Sequence, residues 1–278
     1  MTAVLEHLVA QHADRFLIET HTPVTAVTTI IENACDRRFV VHTTRGIVQA
    51  RHVIHCTNAH VGHLVPSVRG NIYPVRGQMS AQRSSPIFPH QGDNRSWIFS
   101  YDKGFDYLTQ LPLDEFSNGE MMLGGGFVQS EGGGVEDVGI SSDDQMSRCV
   151  EAHLYRTLRD VFDGQYWGDV DQEVQESNQM WTGTMGFSVD GLPWVGRIPE
   201  STTTSEQATK QGSEWIVAGF SGEGMVQAWL CSKALVVMLS ESDLVEQRSS
   251  GLVWFPKQMI VTNERLQEAR LARQVAPN

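Results

Sequence analysis

At 278 residues, with 40% hydrophobic and 19% charged residues, the chain has a globular composition and enough length to bury one large core or two interleaved ones. The balance of 21 Lys and Arg against 33 Asp and Glu leaves a formal charge of -12 at pH 7. A field of that sign repels phosphate backbones and anionic bilayers, so neither nucleic acid nor membrane is an expected partner. The cysteines Cys35, Cys56, Cys149 and Cys231 form no C-x-x-C pair, which argues against a zinc site or redox dithiol and for reduced thiols.

In chain order, Val4, Leu5, Leu8 and Val9 fall at helical spacing, so the chain is expected to open inside a helix. That opening carries Glu6 and no basic leader, so no signal peptide is expected. Thr22 to Val27 reads as a strand with Pro23 at its entry. The runs 39–44 and 46–50, split at Arg45-Gly46, read as a hairpin. Val53 to Asn58 is a short apolar run ending in cap residues, the pattern of a buried strand leading into a helix near Ala59.

From Ile72 to Phe127 the strand signals Ile72–Val75, Ser96–Phe99, Asp106–Thr109 and Met121–Gly124 predict an antiparallel sheet. Residues 131–142, with three consecutive glycines, predict a polar loop, and residues 143–162 an amphipathic helix. Residues 199–212 are Ser/Thr/Gln-rich and predict a flexible insertion. The apolar run Met225 to Leu239 is too short to cross a bilayer and contains Lys233, so a soluble, cytoplasmic protein is expected.

Three segments carry chemical signals. Trp215 to Met225 is a buried strand, a glycine turn and a helix start, with Gly219, Gly222 and Gly224 letting backbone approach a flat or anionic group. The same pattern also serves as a ligand-free tight turn. Asp190-Gly191-Leu192-Pro193 marks a turn, with Val195-Gly196 behind it. Tyr73 to Gln78 is a strand with one charged residue, Arg76, which such strands use more often as an ion-pair partner than as a substrate clamp. His55, His60 and His63 cluster without the converging ligands zinc needs, so no metal is expected.

In this order and at these separations, the Thr22-Pro23-Val24 strand, the Val53–Ala59 segment, Pro74-Val75-Arg76-Gly77-Gln78, Leu123-Gly124-Gly125, the Asp190–Gly196 turn and Gly219–Met225 resemble the D-amino-acid oxidase-like family of FAD-dependent oxidoreductases. That group includes glycine and sarcosine oxidases and γ-glutamylputrescine oxidoreductase. The resemblance implies a mixed α+β or α/β fold: an incomplete FAD-binding Rossmann-like domain (1–65 and 181–245) interleaved with a substrate domain built mainly on an antiparallel sheet (66–180). Residues 246–278 would form a C-terminal tail and helix.

It also implies FAD as cofactor. Val24 would lie by the adenosine, and Thr57 and Asn58 close to the cofactor. Gly219, Ser221, Gly222, Glu223, Gly224 and Met225 would close over the flavin ring. Arg76, Tyr107 and Met185 would line a pocket for an amine or amino-acid substrate, oxidised at its C–N bond, with O₂ or another acceptor taking the electrons. Glu223 is a further candidate for that pocket, and no catalytic base is assigned.

The chain departs from the pattern twice. No G-x-G-x-x-G occurs, so the chain is expected to be truncated upstream of its first residue. Met185 stands where amino-acid-oxidising members often carry a carboxylate-gripping Arg, and a thioether cannot make that bidentate pair, which favours an amine. The competing expectation is an inactive fragment serving at most as a binding or interaction module.

Overall fold

The computed structural model describes residues 2–30, 38–83, 87–114, 117–166, 179–199, 212–243 and 252–268. Helix α1 (Thr2–Gln11), with no buried residue, opens the chain, as its spacing predicts. Strands β1 (Val24–Thr29), β2 (Phe39–Thr43) and β3 (Gly46–Ala50) form an antiparallel sheet, with β2 and β3 joined at the predicted Arg45-Gly46 turn. Then come β4 (Val53–His55), the short helix α2 (Val61–Leu64), and β5 (Ile72–Gln82), β6 (Trp97–Ser100), β7 (Phe105–Gln110) and β8 (Met121–Gly125). Helix α3 (Arg148–Val161), β9 (Gln179–Ser188), β10 (Trp194–Arg197), β11 (Glu214–Ala218) and α4 (Gly224–Asp243) complete the regular elements. Residues 263–268 make a further helical turn.

The largest sheet runs β6-β7-β8-β5-β9, antiparallel throughout, as the strand spacing predicts. Its burial follows the pleat: in β7, Asp106, Leu108 and Gln110 are buried while Phe105 and Tyr107 face out. Helix α3 covers the buried side. Val150, Leu154 and Leu158, spaced one helical turn apart, pack on Leu108, Met121 and Leu123. The other side is only partly covered by the described residues, and cross-strand pairing sets Tyr107, Gly124, Met79 and Trp181 in one row on it.

A second sheet, β10-β11-β4, pairs β11 with β4 in parallel and with β10 in antiparallel fashion. Helix α4 lies against it through Cys231, Ala234 and Leu235. Met225, Val226, Trp229 and Val236 of the same helix are exposed. Among the described residues β4 has no partner on its outer edge, and Ile54 there is exposed rather than buried. The opposite edge, on β10, is met by Ile260 in a parallel bridge with Val195.

The predicted insertion 199–212 falls outside the described residues except at its ends, as do 244–251 and 269–278 of the predicted tail. No described helix is long and apolar enough to cross a membrane.

Candidate active site

Three chain segments far apart in sequence meet at one point. Asn58, just after β4, adopts a left-handed backbone (φ 42°), which places its side-chain oxygen to accept from the Gly219 amide at 2.9 Å. Gly186 of β9 passes so close that a Cβ there would lie 2.4 Å from Asn58 Oδ1 and 2.8 Å from the Ala59 nitrogen, so only glycine fits. Ser221, also left-handed (φ 50°), donates its amide to the Gly186 carbonyl at 2.8 Å and accepts from the Ser188 amide at 3.1 Å through Oγ. Asn58, Gly219 and Ser221 therefore form one hydrogen-bonded knot.

Just beyond it, Gly222 (φ 92°) turns the chain into α4, and a Cβ added there would meet nothing within 4 Å. Glu223 and Met225 are exposed and Gly224 half-buried. The amides of Glu223, Val226 and Gln227 donate to the Phe220 and Glu223 carbonyls, leaving those of Gly224 and Met225 as the orphan donors of this helix start, where the positive end of the helix dipole favours negative charge.

Two cavities flank the knot. One, of about 850 Å³, is lined by Val24, Val41, Ile54, Thr57 and His60 among others. The second, of about 580 Å³, is lined by Gly77, Tyr107, Phe127, Met185 and Ser221 among others, mostly with apolar surface. Tyr73 borders both, so the two lie side by side. The structure brings Arg76, Tyr107, Met185 and Ser221 to the smaller cavity and Val24 and Thr57 to the larger one.

Arg76, in the opposite phase of β5 from Gly77, donates Nε to Asp137 Oδ1 at 2.8 Å; that carboxylate is only 1% exposed. The pair is the only cation and anion among the described residues lining the smaller cavity, and each neutralises the other. Tyr107 donates its hydroxyl to Met79 Sδ at 3.2 Å; burial, with the charge of Asp106 beside it, pushes its pKa up. Beside the larger cavity, His55 is buried with Nε2 2.9 Å from Glu214 Oε1. No metal-holding cluster occurs among the described residues.

Behind the cavity wall lies a polar network that no sequence motif announces. Asp106, buried under α3, lies 2.6 Å from His153 Nε2 and accepts from the Tyr101 hydroxyl (2.8 Å) and the Gly126 amide (2.7 Å). Burial alone would raise its pKa, but the His153, Gly126 and Tyr101 hydrogen bonds outweigh it and hold the carboxyl below its ordinary value. Conversely Tyr101 is pushed up to about 12, by burial and then by its hydrogen bond and proximity to Asp106. The available sequence signal is a carboxylate two residues before Leu108, in the buried phase of an alternating strand.

A family model described as FAD dependent oxidoreductase matches residues 4–238. Among solved structures, glycine oxidase from Geobacillus kaustophilus superposes with a TM-score of 0.53 at 18% identity, covering 81% of this chain and 50% of that one. Amadoriase I, the fructosyl amine:oxygen oxidoreductase of Aspergillus fumigatus, superposes with a TM-score of 0.53 at 15% identity, covering 88% and 50%. Glycine oxidase from Bacillus cereus gives 0.51 at 15% identity, covering 80% and 50%. These likenesses establish the shared fold, and the chain spans about half the length of each. With most of its residues inside the family match, the chain belongs to the FAD-dependent oxidoreductase family.

Proposed function

We propose that the protein oxidises a C–N bond of an amine or amino acid to an imine, using FAD seated across the two neighbouring cavities. The observation that carries this is the uncovered start of α4, at Gly222 to Met225, beside the cavity that Ser221 lines. When bound, FAD would supply a hydride acceptor for the carbon next to nitrogen; water would hydrolyse the resulting imine, and O₂ or another acceptor would take up the electrons.

The chain's own residues would act around that step. The amides opening α4 would stabilise the negative charge that builds on the reduced cofactor. Val24 and Thr57 would border its adenosine end. The open sheet face, with Tyr107 and Met185, would shape the substrate side and exclude water. Because Arg76 is already paired with Asp137 and Met185 cannot grip a carboxylate, an amine suits the cavity better than a simple α-amino acid. The sequence has no G-x-G-x-x-G, so the pyrophosphate-binding turn would belong to chain outside these 278 residues.

The exposed apolar face of α4 and the edge of β4 that has no partner among the described residues favour a second reading, an inactive fragment serving as an interaction module. Adding FAD to the purified chain separates the two. A yellow, stoichiometric complex that survives desalting supports the flavin site, and a colourless or aggregated product supports the second reading.

A further inference from the structure

Residues 252–268 lie beyond the family match, which ends at 238, yet they are built into the core. Phe255, Val261 and Leu266 are buried in the two clusters that enclose the small sheet, and the Val261 amide donates to the Val195 carbonyl at 3.0 Å. This strap ends in one buried cation. Arg265 is 8% exposed and grips Asp190 with two nitrogens, Nε to Oδ2 at 2.8 Å and Nη2 to Oδ1 at 3.1 Å. Its Nη1 donates to the Pro193 carbonyl at 3.0 Å and Nη2 also to that of Leu192 at 3.0 Å. The guanidinium carbon sits 4.4 Å from the ring centre of Trp194, itself fully buried. A planar fork with several donors is needed for this set, and lysine, a single charged point, cannot reproduce it.

The grip continues toward the candidate active site. The Leu192 carbonyl that accepts from Arg265 also accepts from Ser188 Oγ at 2.8 Å. Ser188 Oγ lies 3.3 Å from Ser221 Oγ, and the Ser188 amide donates to that same Ser221 oxygen. Strap, turn and helix start are thus joined through shared acceptors.

We propose that Arg265 is a positioning residue: by clamping the Asp190–Pro193 turn it fixes Ser188 against Ser221, and so sets the backbone of 219–224 that opens α4. What that backbone holds rests on the flavin reading above; the clamping itself does not.

The test uses amide hydrogen exchange on the flavin-free chain. Arg265→Gln is expected to speed exchange at 219–224 about tenfold, the scale of one lost charge-assisted hydrogen bond, while β7 and β8 exchange unchanged. Arg265→Lys should speed it by less. Ser221→Ala should reproduce the effect, and the double variant should add nothing to either single one, as expected for residues acting along one path. A lower Tm for Arg265→Gln with unchanged exchange at 219–224 would overturn the proposal, as would additive effects in the double variant. Titration with FAD, read by its visible spectrum, separates this from the flavin reading. If the parent chain binds no FAD while the exchange pattern holds, these 278 residues do not form a flavin site by themselves and the clamp stands.

Discussion

At the scale of single residues, Asp106 shows how a buried charge is kept. It is 1% exposed and receives the His153 ring nitrogen, a tyrosine hydroxyl and a backbone amide, so its charged form is the favoured one. Asp106→Asn should cost about 2 kcal/mol in urea unfolding at neutral pH, because the three partners lose a charged acceptor. The depressed native pKa means the carboxylate stabilises the fold above its unfolded value, near ~3.9, and loses that contribution as pH falls through the lower native value. The deficit of Asp106→Asn should therefore shrink below about pH 4. In the same variant the tyrosine held at about 12 should titrate closer to its ordinary 10, read by absorbance near the ultraviolet phenolate band.

Elements differ in how plainly the sequence announces them. The β2–β3 hairpin was legible because Arg45-Gly46 separates two β-rich runs. Of β5, the sequence marks Ile72 to Gln78, yet the strand runs on to Gln82. Its buried phase there holds Gln78, Ser80 and Gln82, and Gln82 is satisfied by donating to Ser80 Oγ and the Leu154 carbonyl, partners that tertiary structure alone supplies. Helix α3 begins at Arg148 rather than 143; Met146 matches the helical period, but the backbone ahead of Arg148 is not helical. The site was half legible for the same reason. Turn residues at 57–58 and 219–222 announce themselves locally, whereas Asp106 with His153 and Asp190 with Arg265 are pairs made only by folding. Packing predicts a sharp contrast between two helical residues. Leu154→Ala should cost about 2–5 kcal/mol by leaving a cavity between α3 and the sheet, while Met225→Ala, fully exposed, should stay within about 0.5 kcal/mol. Urea melts followed by circular dichroism measure both.

Across the whole molecule, apolar surface is unevenly covered. Helix α4 buries one side against the small sheet and leaves Val226 and Trp229, 75% and 70% exposed, on the other. Patches of this kind drive association when nothing covers them. Replacing Val226 with Thr and Trp229 with Ser should lower light scattering at high protein concentration without lowering the unfolding midpoint, since neither side chain contributes to the buried clusters. No change in scattering would show that this face does not govern association.

The bridge between Val195 and Ile260 has a bearing on what such association can become. Polymerisation by strand addition needs two growing ends, and in the β10-β11-β4 ribbon the strap acts as a terminator at one of them. The β4 edge has no partner among the described residues, so a further strand could add on that side. The same seventeen-residue segment proposed to steady the helix start therefore also occupies one border of this ribbon, at Val195.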